Sequence, residues 1–129
     1  MTVSIRSVDD EADVAEPFRQ HFRREVRQGL YVLHFADSAE EALQMLADGI
    51  RPQLIVILSD INMPRMDGLA LLREIKLMRP GLPVIMVTAY GDDERRGRAA
   101  EYGAAEFVTK PVDFDFLKRQ LRQLQAPPA

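Results

Sequence analysis

Two kinds of pattern alternate along the chain. Short runs rich in β-branched and aromatic residues are separated by stretches in which apolar side chains recur every three or four positions. Residues 54–58 and 84–87 contain no polar side chain, which is typical of strands that are buried on both faces. The longer stretches have the spacing of amphipathic helices.

These patterns predict five strand–helix pairs. The strands are expected at 2–8, 31–36, 54–58, 84–87 and 107–108, and the helices at about 14–28, 39–47, 69–78, 92–102 and 114–124. Strict alternation with apolar central strands indicates an α/β fold, with a parallel sheet covered by helices on both faces. Since crossovers are right-handed, a doubly wound sheet is expected, and the common order for five strands is 2-1-3-4-5.

Composition narrows the class of protein. The chain has 129 residues, and its 17 basic and 20 acidic residues give a net charge of −3. This mild acid surplus argues against unspecific binding of nucleic acid or of anionic membranes. There is no cysteine, so disulfides and thiol chemistry are excluded. We expect a cytoplasmic protein with one domain over residues 1–125 and a tail over 126–129, with no secretory signal and no membrane span.

Polar side chains stand where the predicted strands end. Asp9 and Asp10 follow the first strand, Asp60 the third, Thr88 the fourth and Lys110 the fifth. In the order 2-1-3-4-5 these four strands are consecutive neighbours, about 4.8 Å apart. Ligands bind at the carboxyl edge of such sheets. We therefore expect the five side chains to form one row.

The row suggests phosphoryl chemistry. Three carboxylates at one edge repel one another, and Mg²⁺ relieves such repulsion through oxygen ligands while keeping sites for water and phosphate. The Lys110 ammonium and the Thr88 hydroxyl suit the remaining oxygens of a phosphoryl group. Asp60 lies between the metal ligands and these two phosphoryl-binding groups. It is therefore the natural nucleophile, whose carboxylate would become an acyl phosphate.

Four motifs in this order resemble a known family. Asp9-Asp10, the acid-x-x-Met-Pro-x-Met-Asp-Gly run at 60–68, Thr88-Ala89 and Lys110-Pro111 are similar to those of the receiver domain of two-component response regulators. The resemblance covers residues 3–125 and implies a flavodoxin-like, three-layer (βα)5 receiver fold. It also favours a cis Lys110–Pro111 bond. Asp67 is instead interpreted as a helix cap beside Gly68.

The resemblance assigns roles to residues of the row. Asp60 would accept a phosphoryl group from a phosphohistidine on a sensor histidine kinase or a histidine phosphotransfer protein. Asp10, Asp60 and the backbone carbonyl of Asn62 would bind Mg²⁺ directly, with Asp9 acting mostly through water. Such a domain assists its own phosphorylation and dephosphorylation but is not a conventional enzyme.

The resemblance also implies a switch. Thr88 and Lys110 would contact the phosphoryl group, and Thr88 and Phe107 would change position on activation. The output face would consist of the predicted fourth helix, fifth strand and fifth helix, and the downstream effector is not specified. Phe107 departs from the frequent Tyr at this position, and Arg6 and Ser7 make the first strand more polar than usual.

Three other kinds of protein share parts of this pattern. A hydrolase of the haloacid dehalogenase type also uses an aspartyl phosphate, but its nucleophile follows the first strand and its acidic pair comes late. A flavodoxin-like FMN binder needs a Ser/Thr/Gly-rich loop after the first strand, where this chain has Asp9-Asp10-Glu11. The third is a receiver-like interaction module that is never phosphorylated. In such a module the acidic pair, Asp60 or Lys110 would be expected to be replaced, and all are intact here.

Overall fold

The elements of the chain are given by a computed structural model, which describes residues 3–11, 15–49, 55–63, 66–88 and 93–125. Within these ranges lie five strands and six helices: β1 (Val3–Val8), α1 (Ala15–His21), α2 (Arg23–Arg27), β2 (Tyr31–Ala36), α3 (Ala39–Asp48), β3 (Ile55–Asp60), α4 (Gly68–Met78), β4 (Val84–Thr88), α5 (Asp93–Glu101), β5 (Glu106–Thr109) and α6 (Phe114–Gln125). Some predicted features lie outside the described residues, namely Leu54, Pro64, Arg65, Ala89 and the tail at 126–129. No described helix is long and apolar enough to cross a membrane.

The strands form one sheet in the order β2-β1-β3-β4-β5, and each neighbouring pair is parallel. The predicted order is therefore confirmed. The same order brings the ends of β1, β3, β4 and β5 to one edge of the sheet, side by side.

Two hydrophobic clusters cover the two faces of the sheet. Val56 and Leu58 of β3 belong to the cluster formed with α1, Phe22 and α6, whereas Ile57 belongs to the cluster formed with α3, α4 and α5. Along β4, Ile85 and Met86 divide in the same way. Since successive side chains of a strand point to opposite faces, both faces of these strands must be apolar. This explains their uninterrupted hydrophobic runs.

Side-chain caps fix where three helices begin. Ser38 accepts a hydrogen bond from the Glu41 N–H at 3.1 Å at the start of α3, and Asp67 accepts one from the Ala70 N–H at 2.9 Å at the start of α4. Asp113 does the same for α6. Each cap satisfies one of the first N–H groups of its helix. The interpretation of Asp67 as a helix cap is thus confirmed.

The first predicted helix is wrong in one respect, because the structure divides it into α1 and α2. The division is at Phe22, whose φ of −101° and ψ of 9° depart from helical values. The α-helical hydrogen bonds nevertheless continue through it, from Phe22 N–H to Phe18 and from Val26 N–H to Phe22. The buried Phe22 ring also packs edge-on against Tyr31 at 5.6 Å between centroids. The two helices therefore act as one bent element, and the predicted fourth and fifth helices are α5 and α6.

The polarity of the first strand has an unusual structural counterpart. Every residue of β1 is buried, and Arg6 is only 1% exposed. Its guanidinium donates to the sulfur of Met45 on α3, and its Nε has no hydrogen-bond partner within the described part of the chain. Burial lowers the pKa of Arg6, while the charge of Glu41 opposes that shift. Arg6 is thus a buried cation on the α3 side of the sheet.

Candidate functional site

The ends of β1 and β3 bring three carboxylates together. Val8, the last residue of β1, is paired with Ser59, so that Asp9 and Asp10 follow beside Asp60 at the end of β3. One oxygen from each of the three carboxylates lies within 4.8 Å of the others. The convergence expected from the strand order is therefore present in the structure.

Lys110 reaches this cluster from the end of β5. Its Nζ lies 3.0 Å from Oδ2 of Asp60 and 3.3 Å from Oδ2 of Asp9. The Lys110–Pro111 peptide bond is cis, as the resemblance suggested. The backbone N–H of Lys110 donates to the carbonyl of Thr88 at 2.9 Å, which joins the ends of β5 and β4. One ammonium thus bridges two of the three carboxylates.

Thr88 ends β4 one residue beyond Val87, the register partner of Asp60. The residue is only 1% exposed, and its Oγ1 has no hydrogen-bond partner among the residues that the structure describes. A buried hydroxyl without a partner costs free energy unless a ligand satisfies it. Thr88 therefore has a donor to offer a bound group at the sheet edge.

Burial and charge shape the titration of the site. The side chains of Asp9 and Asp60 are 8% and 7% exposed. Burial raises the pKa of Asp9, and the charge of Asp60 adds to this, whereas the Glu11 N–H and Lys110 oppose it. For Lys110, burial alone would lower the pKa, but its hydrogen bonds and charge interactions with Asp60 and Asp9 outweigh burial and raise it. The ammonium is therefore fully charged at neutral pH.

The donor set fits a hard divalent cation. Three carboxylates within 4.8 Å carry more negative charge than one ammonium can compensate. Mg²⁺ prefers such oxygen ligands and usually takes only one or two from protein carboxylates, with water or phosphate completing its shell. Asp10 is exposed and Asp60 buried, so an ion bound between them would face solvent on one side. Asp9, Asp10 and Asp60 are the residues that could hold it.

A cavity of about 370 Å³ opens beside the cluster, between α1 and the segment after β5. Asp60 and Lys110 form part of its wall, and most of the rest is apolar, with Phe18, Pro111 and Phe114 among the lining residues. Apolar walls limit solvent screening, so that charge interactions at the mouth are strengthened. Asp60 thus borders this cavity on the side of α1.

Gly68 is a site residue that sequence reasoning treated only as part of a turn. It begins α4, and its N–H donates to the Ile61 carbonyl at 2.8 Å. A Cβ at this position would lie 2.2 Å from the Asp60 carbonyl oxygen and 2.7 Å from the Ile61 Cα. Only glycine allows α4 to approach the backbone of the Asp60 loop so closely. The Asp-Gly pair was the available signal, but it does not distinguish a turn from a close approach.

Sequence reasoning also missed the position of Arg95. In the structure Arg95 Nη1 donates to Oδ1 of Asn62 in the loop after β3. The Asn62 N–H in turn donates to Oδ1 of Asp60 at 3.2 Å. No local sequence signal connects residues so far apart along the chain.

Phe107 lies on β5 away from the carboxylates. Its ring packs against the cluster formed with α3, α4 and α5, and the guanidinium of Arg96 lies 5.1 Å from the ring centroid. The ring is half-buried. The ring therefore lies between the sheet and α5. A change in its position would alter its contact with Arg96 of that helix.

The raised pKa of Asp9 predicts a pH-dependent effect of Asp9→Asn on the metal-free protein. A carboxyl whose folded pKa exceeds its unfolded value of about 3.9 penalises folding when ionised, and the penalty disappears once both states are protonated. Asp9→Asn should therefore raise the free energy of unfolding at neutral pH, and this gain should shrink as the pH falls toward 4. Urea denaturation in the presence of a chelator, at several pH values, measures it.

Asp48→Asn is the matched control for that experiment, because Asp48 is exposed and an amide there can still accept from Gln44. It removes a carboxylate outside the cluster, so a gain in stability that depends on the cluster should belong to Asp9→Asn alone. A loss of stability in Asp9→Asn at neutral pH, or a gain that grows on acidification, would contradict the expected sign.

Comparisons with known proteins agree with this geometry. A family model described as the response regulator receiver domain matches residues 5–122. The C4-dicarboxylate transport transcriptional regulatory protein DctD of Rhizobium meliloti is 34% identical over 122 residues, which are 95% of this chain and 25% of that protein. The transcriptional regulatory protein ZraR of Escherichia coli is 37% identical over 97 residues, which are 74% of this chain and 21% of that protein.

A solved structure is similar over nearly the full chain. The receiver domain of NtrX from Brucella abortus is 32% identical, with a TM-score of 0.80 over 93% of this chain and 96% of that one. In contrast, the chain spans 25% or less of the length of the two transcriptional regulators. The likeness therefore concerns one domain of those larger proteins.

Proposed function

The chain belongs to the response regulator receiver domain family, and from this premise we propose that Asp60 is its phosphoacceptor, working with Mg²⁺ as cofactor. The phosphoryl donor is a phosphohistidine on a sensor histidine kinase or a histidine phosphotransfer protein. Receiver domains are not a classical enzyme family; here the chain assists its own phosphorylation and later dephosphorylation, and the product is a changed conformation.

One observation carries this proposal. The Asp60 carboxylate is nearly buried, accepts a hydrogen bond from Lys110 at 3.0 Å and lies within 4.8 Å of the carboxylates of Asp9 and Asp10. A carboxylate between potential metal ligands and an ammonium is placed where a phosphoryl group can be bound from both sides. Catalysis of such a transfer depends on positioning and charge neutralisation, with little need for a general base.

The transfer itself requires few groups. An ionised Asp60 oxygen attacks phosphorus, the P–N bond of the donor breaks, and its electron pair remains on the imidazole nitrogen. Bound Mg²⁺ supplies neutralisation of the phosphoryl oxygens. Lys110 moves its hydrogen bond from the Asp60 carboxylate to a phosphoryl oxygen, and Thr88 donates its unpartnered hydroxyl to another. The hydrogen bonds of these two residues then stabilise the negative charge of the acyl phosphate.

Three side chains and one backbone group are assigned to the cation. Asp10 and Asp60 bind it directly, together with the backbone carbonyl of Asn62, and Asp9 acts mostly through water. The hydrogen bonds of Asp9 support its indirect role, because its Oδ1 accepts from the Glu11 N–H at 3.0 Å and its Oδ2 accepts from Lys110. Asp10 is exposed and free to turn toward the ion.

The switch passes from Thr88 and Phe107 to the face formed by α5, β5 and α6. Phosphorylation adds a charge of about −1.5 to −2, which attracts Thr88 and Lys110. Phe107 is half-buried beneath Arg96, and α5 has Ala99 as its only buried residue among positions 93–101. A helix with so little buried surface has low local stability and changes position at small cost. Signal output is then a shift in the population of two arrangements.

The partners follow from the family. Receiver domains interact with histidine kinases and with downstream effectors, and the two curated relatives are named transcriptional regulators. For this chain we assign the role of an input module that does not itself contact nucleic acid or membrane. The cytoplasmic location and the domain bounds of 1–125 stay predictions.

Incorporation of phosphate from acetyl phosphate tests the proposed function. The purified protein should acquire one phosphoryl group in the presence of Mg²⁺ and none in the presence of a chelator, as resolved by phosphate-affinity electrophoresis. Absence of incorporation under both conditions would favour a receiver-like module that is never phosphorylated. Continuous turnover of a phosphomonoester would instead favour a hydrolase of the haloacid dehalogenase type.

Mg²⁺ should also stabilise the protein measurably. A ligand that binds only the folded state at ten times its dissociation constant adds about 1.4 kcal/mol to the free energy of unfolding. Asp10→Asn should remove most of this gain, because it deletes a directly bound carboxylate, whereas Asp115→Asn on the exposed surface of α6 should keep it. Thermal denaturation over a Mg²⁺ titration measures the difference. Equal gains in both variants would contradict the assignment of Asp10.

A further inference from the structure

Two arginines of the helix α5 contact other elements of the fold. Ala99 is its only buried residue within 93–101. Arg95 donates to the side chain of Asn62, and Arg96 lies over the Phe107 ring. Arg98, in contrast, pairs with Glu94 of the same helix at 3.4 Å, and both side chains are exposed. Two arginines therefore tie α5 to other elements, and the third does not.

The contact of Arg95 leads directly to the phosphoacceptor. Asn62 is two residues after Asp60, and its N–H donates to Oδ1 of Asp60 at 3.2 Å. Its side-chain oxygen accepts from Arg95. Two hydrogen bonds thus connect the Asp60 carboxylate to α5 through one residue.

Phosphorylation of Asp60 would change both ends of this connection. When an Asp60 oxygen becomes part of an acyl phosphate, the charge that attracts the Asn62 N–H moves onto the phosphoryl oxygens, so that the first hydrogen bond weakens. The same added negative charge attracts the Arg95 guanidinium, which is hydrogen-bonded to the neighbouring Asn62 side chain. Because Ala99 is the one buried residue of α5 within 93–101, the helix would follow its arginine at small cost.

We infer that Arg95 is a positioning residue that couples α5 to the phosphoacceptor loop through Asn62. This inference rests on the proposed function for its role in signalling, but the contact itself exists without phosphate. It adds a route to α5 that does not pass through Thr88. Arg95 holds the helix in its unphosphorylated arrangement and transmits the change at Asp60.

Amide hydrogen exchange tests the holding role in the metal-free, unphosphorylated protein. Arg95→Ala and Asn62→Ala should each speed exchange in α5 by roughly threefold to tenfold, the effect of losing one hydrogen bond. Arg98→Ala should change α5 exchange by about twofold at most, since an exposed pair within one helix contributes little to its stability. In the double variant the effect should not exceed that of either single variant, because both remove the same contact. Unchanged exchange in Arg95→Ala, or multiplied effects in the double variant, would overturn the inference.

Beryllofluoride with Mg²⁺ tests the transmitting role, with amide resonances observed by NMR. In the wild type, resonances beside Asp60 and those of α5 should both shift. In Arg95→Ala those beside Asp60 should shift fully while α5 loses most of its response, and Arg98→Ala should behave as the wild type does. A full α5 response in Arg95→Ala would refute the inference and leave the proposed function standing. No response beside Asp60 in the wild type would refute the proposed function, and the transmitting role with it.

Discussion

Asp60→Asn is expected to abolish the response of the protein to beryllofluoride and Mg²⁺. The amide is nearly the same size as the carboxylate but carries no charge and is a poor nucleophile, so it cannot form the acyl-phosphate-like adduct. It also removes the negative charge that the Lys110 ammonium meets at 3.0 Å, although the amide oxygen can still accept its hydrogen bond. In two-dimensional NMR spectra, the wild type should show shifts beside Asp60 and across α5, and the variant none.

The control comes from the same motif. Asp67→Asn changes an aspartate seven residues further on, whose oxygen caps α4 by accepting the Ala70 N–H at 2.9 Å. Asn is as good a cap as Asp, so the helix should begin normally. This variant should retain the beryllofluoride response. A response that survives Asp60→Asn, or that is lost equally in Asp67→Asn, would refute the assignment of Asp60.

Gly68→Ala should be the most destabilising small substitution in the site. The added methyl group would lie 2.2 Å from the Asp60 carbonyl oxygen and 2.7 Å from the Ile61 Cα, and both are backbone atoms that cannot rotate away. Either α4 or the Asp60 loop must shift. Overpacking of this kind costs about 3 kcal/mol, and here also displaces Asp60 from Lys110. Chemical denaturation should show the loss of stability, and Mg²⁺ should no longer stabilise the variant.

Gly97→Ala is the matched control for this steric argument. Gly97 lies inside α5, and an added Cβ would meet no atom within 4 Å. Alanine is favoured over glycine in a helix interior by about 0.5–1 kcal/mol. This variant should therefore be more stable than the wild type. If both variants changed the free energy of unfolding by the same amount and sign, the close approach at Gly68 would not explain the loss of stability in Gly68→Ala.

Much of this architecture was predictable because the central strands carry strong patterns. The runs at 54–58 and 84–87 are apolar on every residue, and this occurs where helices cover both faces of a parallel sheet. Once the order is known, Asp9, Asp60 and Lys110 are expected at one edge of the sheet, since β1 and β3 are adjacent and only β4 separates β3 from β5. Strand-end chemistry is thus fixed by topology even when the residues lie 50 or 101 positions apart.

The remaining features depend on tertiary packing that local patterns do not encode. The buried Arg6 interacts with Met45 and Glu41, which lie far from it along the chain. The residues next to Arg6 in the sequence give no indication of these contacts. The bend at Phe22 occurs within an unbroken run of apolar residues at every fourth position. The contact between Arg95 and Asn62 depends on how α5 is placed over the loop after β3.

Reductive trapping tests the central claim most directly. Borohydride reduces an aspartyl phosphate to homoserine, with release of phosphate, and peptide mass mapping then locates the modified residue. After treatment with acetyl phosphate and Mg²⁺, the account predicts homoserine at Asp60, and at no other aspartate. Homoserine at Asp9 or Asp10, or a phosphate ester on a hydroxyl such as that of Thr88, would contradict it.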